Sequence, residues 1–114
     1  MSVGTAEAPF SYDGPDRLRG PVAAALQRVV DPELALSIVD MGLVRAVTVT
    51  AERLHVVLTM TSAACPVTDL ILEDAAAELE RIAPPELGVD LELAWEPPWT
   101  AERMSARAKA FMGW

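Results

Sequence analysis

Two kinds of hydrophobic periodicity alternate along this chain. Val22, Leu26, Val29 and Val30 fall on one face of a helix, and Pro21 suits the first position of that helix. Pro32 disfavours helical geometry at Asp31, so the spacing predicts a first helix that ends near Asp31-Pro32. The following stretch, LALSIVDMG, is too apolar for a solvated loop and is expected to pack, with Gly42 turning the chain out of it. From Val44 the period falls to two. Val47 and Val49 oppose Thr48 and Thr50, and beyond Ala51-Glu52-Arg53 the residues Leu54, Val56, Leu58 and Met60 alternate with His55, Val57 and Thr59. That pattern predicts an antiparallel hairpin.

Helical spacing returns over residues 66 to about 82, where Val67, Leu70, Ile71, Ala75, Leu79 and Ile82 share a stripe, until Pro84-Pro85 and Gly88 break it. A third strand follows, with Val89, Leu91, Leu93 and Trp95 expected on the buried face and Asp90, Glu92 and Glu96 on the wet one. Behind Pro97-Pro98-Trp99, Thr100 can cap a short last helix with Met104, Ala108 and Phe111 on its apolar side and Gly113 at its end. The order αββαβ plus a short C-terminal helix predicts an α+β fold, a small three-stranded or larger mixed sheet with helices on one face. Residues 1–18 show no periodicity and read as a flexible N-terminal arm, which leaves 19–114 as a single domain.

Composition narrows the function classes. A chain of 114 residues that is 52% hydrophobic is neither disordered nor fibrous, and no apolar run is long enough to predict a membrane span. Nine basic residues against 17 acidic ones give a net charge of -8, which argues against a nucleic-acid partner. The first residues lack the basic and apolar regions of a secretory signal, and a lone cysteine suits a reducing compartment, so a cytoplasmic location is expected.

That cysteine is the sharpest chemical feature. Cys65 precedes Pro66 where a strand gives way to a helix, so it reads as the N-cap, where free N–H groups and the helix dipole favour thiolate. Asp69 works against this, and a lone cysteine is most often a small buried hydrophobe. Asp31 and Glu33 can supply oxygen ligands to iron or zinc, or can be solvated charges after a helix. Asp40 can serve turn backbone groups. His55 has no second His or Cys at ligand spacing, so no metal role is expected of it. Trp95, Trp99 and Trp114 can form an aromatic recognition surface, although alternation makes Trp95 a core residue first. No phosphate loop, G-x-S-x-G elbow or paired C-x-x-C site occurs.

Four motifs in order, DPEL at 31–34, SIVDMGLV at 37–44, LTMTSAACP at 58–66, and WEPPW with Arg103-Met104-Ser105, resemble the small iron–sulfur cluster assembly family that includes SufT- and PaaD-like proteins. The resemblance runs from about Pro21 to Trp114. It implies a non-enzymatic factor in iron–sulfur protein maturation, a carrier or a targeting adaptor, with Cys65, Asp31 and Glu33 as cluster or metal candidates. Thr61, Ser62 and Asp40 would support the site loops, and Trp95, Trp99 and Met104 would dock partners. PaaD-like members usually add a cysteine-rich C-terminal segment that this sequence lacks, so the general SufT-like role fits better. The expected cargo is an iron–sulfur cluster or iron, held labile because one thiolate cannot satisfy a cluster that normally takes four. Expected partners are apo iron–sulfur proteins and the assembly machinery, with a homodimer as a way to supply a second thiolate. The alternatives are an interaction adaptor in which Cys65 is structural and, behind it, a thiol enzyme, for which no histidine base accompanies Cys65.

Overall fold

The computed structural model describes residues 10–32, 35–61 and 68–113. In chain order the elements are β1 (Ser11–Asp13), α1 (Asp16–Gln27), β2 (Val30–Asp31), β3 (Leu36–Ser37), β4 (Val44–Val49), β5 (Arg53–Leu58), α2 (Thr68–Ile82), β6 (Gly88–Leu93), a 3₁₀ turn (Ala101–Arg103) and α3 (Ala106–Met112). The predicted hairpin is the centre of the fold. Strands β4 and β5 pair antiparallel with Val47 opposite Val56 and Val49 opposite Leu54, so alternate residues of both strands point to one side. The register shifts between Val44 and Ala46, which leaves Arg45 as the extra residue of a bulge.

Strand β6 lies parallel to β5 and β1 lies parallel to β4, giving a four-stranded mixed sheet in the order β1-β4-β5-β6. Strands β2 and β3 form a separate two-stranded antiparallel pair. Val47, Val49, Leu54, Val56 and Leu58 on one sheet face share a core with Leu18, Val22, Ala25 and Leu26 of α1 and Ile71, Ala75 and Leu79 of α2. A 2.8 Å bond from Arg28 Nε to Glu78 Oε1 ties the end of α1 to α2. The apolar stretch after β2 packs as expected: Leu36, Ile38, Val39, Met41 and Leu43 are all buried. The α+β architecture, mixed sheet and helical cover therefore match the hydrophobic pattern.

Local expectations change in six places, the simplest being Leu70, which falls off the buried stripe of α2 and is 47% exposed. Residues 10–18 are not an arm, because Ser11–Asp13 pairs with β4 and α1 begins at Asp16. Leu18 extends the buried stripe one turn earlier, so Pro21 lies inside α1 rather than at its start. The first helix stops at Gln27, and Val30-Asp31 are extended against Leu36-Ser37. Trp95 is 42% exposed instead of buried: Ala94 N–H donates to Leu58 O, and Pro97 and Pro98 have no N–H with which to extend the strand.

The last helix also begins later than its apolar spacing suggests. Thr100 makes no side-chain cap and only the 3₁₀ turn follows it; α3 starts at Ala106, with Ser105 Oγ accepting from Ala108 N–H at 3.0 Å. The break at Met104-Ser105 takes Met104 out of phase with Phe111, so Met104 is buried while Phe111 is exposed. Gly113 closes α3 in the left-handed region, as its position predicts.

Candidate functional site

A short relay of backbone hydrogen bonds links three of the motif segments. Ile38 N–H donates to Val29 O at 2.9 Å, Leu43 N–H to Ile38 O at 2.9 Å, and Thr59 N–H to Leu43 O at 2.7 Å. The segment that carries Asp31, the buried 36–43 turn and the exit of β5 toward Thr61 are thereby stitched together. Asp31 is buried at 6% exposure and its carbonyl accepts from Ala35 N–H at 2.8 Å. Thr59 and Met60 are buried and Thr61 is exposed.

The fourth motif segment lies across the same turn. Trp99 Nε1–H donates to Met41 O at 2.7 Å, Arg103 Nε–H to Gly42 O at 2.8 Å, and Ser105 N–H to Asp40 O at 2.8 Å. Residues 99–108 thus form a strap over residues 40–44, with Met104 and Ala108 anchored in the core. Gly42 makes this contact possible. Its φ is +75°, and a Cβ there would lie 2.3 Å from Arg103 O, so both the turn and the close approach require glycine. Arg45, projecting from the bulge of β4, donates to Thr59 Oγ1 and to Pro97 O, which joins the exit of β5 to the start of the strap.

Asp40 is where these segments are locked. Its carboxylate accepts from Gln27 Nε2 at 3.0 Å, Ser105 Oγ at 2.9 Å, Arg107 Nη2 at 2.6 Å and Ser37 Oγ at 3.3 Å. Burial alone would raise its pKa, but the hydrogen bonds from Arg107 and Ser105, Arg107's charge and the bond from Gln27 outweigh it and hold the carboxyl below its ordinary value. Asp40 therefore joins α1, β3 and the strap, which is a larger role than satisfying a turn. Its pairings with Gln27, Ser105 and Arg107 escaped sequence reasoning because these residues lie 13 to 67 positions away. Only Ser105 carried a local signal, that of an N-cap three residues before Ala108.

The expected site residues separate as follows. Asp31, Thr61 and Asp40 belong to the segments that the relay brings together. Cys65, Glu33 and Ser62 lie outside the described residues. Trp95 is exposed and Trp99 is half-buried with its indole N–H satisfied. Met104 is corrected from docking residue to core residue, since only 5% of it is exposed. His55 lies on the other sheet face, its Nδ1 2.7 Å from Asp90 and its Nε2 3.0 Å from Glu92. The bond to Asp90 raises its pKa; burial opposes this, and the bond to Glu92 and both carboxylate charges add to it. Among the described residues no group of three or more His, Cys, Asp or Glu converges in a way that could hold a metal ion, and no helix is long and apolar enough to cross a membrane.

Comparison with known proteins gives a consistent result. Residues 20–90 match the profile of the family described as iron-sulfur cluster assembly protein. The chain is 35% identical over 99 residues to the Fe-S protein maturation auxiliary factor YitW of Bacillus subtilis, an alignment covering 86% of this chain and 96% of the relative. It is 39% identical over 87 residues to the Fe-S protein maturation auxiliary factor SufT of Staphylococcus aureus, covering 75% of this chain and 97% of the relative. Among solved structures, a domain of unknown function from Bacillus anthracis superposes with a TM-score of 0.78 at 36% identity, over 86% of this chain and 93% of that one. A conserved hypothetical protein from Thermotoga maritima superposes with a TM-score of 0.72 at 35% identity, over 84% and 94% of the two chains.

Proposed function

The chain belongs to the iron–sulfur cluster assembly protein family, in its SufT-like branch, and from that premise we propose that it is a cytoplasmic, non-catalytic factor for the maturation of iron–sulfur proteins. In this reading it carries an iron–sulfur cluster or iron as cargo and hands it to apo-proteins, with Cys65 as ligand or transfer thiol and Asp31 and Glu33 as neighbouring oxygen donors. Thr61 and Ser62 support the Cys65 loop. The observation that carries the proposal is the stitching of the Asp31 segment, the 36–43 turn, the β5 exit and the C-terminal strap into one region. This junction joins segments of all four motifs.

Ligand arithmetic makes the cargo labile. One cysteine supplies one thiolate, the carboxylates assigned to the site in this reading are hard oxygen donors, and a cluster normally takes four thiolates. A second subunit, a partner or a small thiol must complete the coordination, and incomplete protein ligation favours release. Trp95, exposed just beyond β6, supports a docking surface for an apo-protein or for the assembly machinery.

The test is anaerobic reconstitution with iron and sulfide, followed by absorbance, size exclusion and transfer to an apo-ferredoxin. A substoichiometric cluster that needs dimerisation or added thiol and is lost in Cys65→Ser supports the proposal. A chelator-resistant cluster on a monomer contradicts the ligand count. No cluster under any condition, with Cys65→Ser still restoring iron–sulfur enzyme activity in a deletion strain, replaces the carrier with an interaction adaptor.

A further inference from the structure

Two arginines of the strap junction are left with an electrostatic problem. In an acidic chain, Arg19, Arg28, Arg81 and Arg107 each pair with a carboxylate. Arg45 and Arg103 are both half-buried and neither meets a carboxylate among the described residues. Their partners are neutral: Arg103 donates through Nε to Gly42 O and through Nη2 to Val44 O, while Arg45 donates through Nη2 to Pro97 O and Thr59 Oγ1. The Nε–H of Arg45 is buried and has no hydrogen-bond partner among the described residues. Each Nη1 group also lacks one there.

Carbonyl oxygens satisfy N–H directions but do not neutralise charge, and two partly buried guanidinium ions at one junction oppose each other. The acidity of Arg103 reflects this: burial lowers its pKa first and the charge of Arg45 lowers it further. Glu96 and Glu102 are exposed and form no ion pair with either arginine, and the Asp40 carboxylate beneath the strap pairs with Arg107 instead. A planar guanidinium with unused donors is the side chain best matched to an oxygen pair on an anion.

We propose that Arg45 and Arg103 form a binding site for a single oxyanion group, a carboxylate or a phosphate, at the junction of the β4 bulge, the β5 exit and the strap. The anion neutralises the pair and is held by their Nη1 groups, which carry no hydrogen bond among the described residues and, unlike the Arg45 Nε–H, are open to solvent. Because Arg45 also holds Thr59 and Pro97, an occupied site steadies the β5 exit against the strap. The site does not depend on Cys65 or on any cargo, so it stands or falls separately from the maturation role.

The experiment follows the arginine Nε–Hε resonances of the ¹⁵N-labelled full chain during titration with sodium phosphate and, separately, sodium acetate, with ionic strength held constant by chloride. Saturable shifts of the Arg45 and Arg103 signals are expected for at least one anion. Saturation by phosphate alone identifies a phosphate site, and saturation by acetate identifies a carboxylate site suited to an acidic side chain or chain terminus. Arg45→Gln should weaken binding about tenfold or more through loss of a charge-assisted fork, while Arg45→Lys keeps the charge and part of the affinity. Linear drift without saturation for both anions, up to about 100 mM where screening already confines charge interactions to about 10 Å, overturns the proposal. Unchanged affinity in a folded Arg45→Gln protein overturns it as well. If that variant does not fold, the wild-type titration decides alone.

Discussion

Asp40 beneath the strap and His55 on the open sheet face are both titratable centres of hydrogen-bond clusters, yet they differ in what depends on them. The Asp40 side chain is 12% exposed and joins α1, β3 and the strap. His55 is 31% exposed, and its partners Asp90 and Glu92 are 49% and 57% exposed on a strand that already pairs with β5 along six residues. Losing the first cluster removes much of what fastens the strap; losing the second removes a side-chain link between strands that the backbone still joins. Burial, and how much backbone pairing remains beside each cluster, set its weight more than the number of charges does.

The largest effect is expected where the strap meets the turn that carries Asp40. Gly42→Ala places a residue with a Cβ at φ +75°, which costs about 1–2 kcal/mol by itself. The Cβ also meets Arg103 backbone atoms 2.3 and 2.6 Å away, so the strap must shift and the bonds from Trp99 and Ser105 to the turn weaken. A total loss of about 3 kcal/mol in chemical denaturation is expected. A loss under about 1 kcal/mol would mean that the strap is loosely held and would erase the contrast with the His55 face.

Asp40→Ala comes next. Arg107 is 74% exposed and returns to water without penalty, so the cost comes from Gln27, Ser37 and Ser105, which lose their shared acceptor, at about 2–3 kcal/mol near neutral pH. The pH dependence sharpens the test. Because the folded-state pKa of Asp40 is lowered, its charge-dependent contribution is present above the unfolded value near 3.9 and is lost as pH falls through the folded value. The difference between wild type and Asp40→Ala should therefore narrow only in strong acid. A gap that closes already at pH 5 would show that Asp40 is not held ionised by its partners.

The same contrast separates what the sequence makes legible from what it hides. Strands β4 and β5 and helix α2 announce themselves because each buries one face, and β6 because its half-buried Val89, Leu91 and Leu93 alternate with exposed residues, so period alone identifies them. Strand β1 has three residues and gains its identity only by lying beside β4, a partner 35 residues away, which no local pattern encodes. Trp95 and Phe111 continue an alternation that the chain abandons at Ala94 and at Met104-Ser105, so extrapolated periodicity misplaces both. For the candidate site, the motifs containing Asp31, Asp40 and Thr61 were readable as residue types in order. The pairing of Asp40 with Arg107 and the seating of Arg103 on Gly42 O were not, because side-chain contacts across more than 60 residues leave no spacing signal.

The smallest effect is expected at His55, and its pH dependence has the opposite sign. Each ring nitrogen faces a carboxylate oxygen, so both bonds are made fully only when both nitrogens carry protons, as in the imidazolium. The pKa of His55 is accordingly raised above its ordinary value near 6.5. A raised folded-state value means that the stabilisation is fully present below the unfolded pKa and disappears as pH climbs through the folded one. His55→Gln should therefore cost less than about 1 kcal/mol between pH 5 and 6.5, as befits ion pairs near the surface, and the gap should shrink at higher pH. Denaturation of both proteins across pH 5 to 9 checks this, with His55 titrated by NMR in the wild type. A cost that grows with rising pH would reverse the sign and remove the imidazolium from the β5–β6 ladder; a cost as large as that of Asp40→Ala would show that an exposed cluster can carry the weight assigned here to burial.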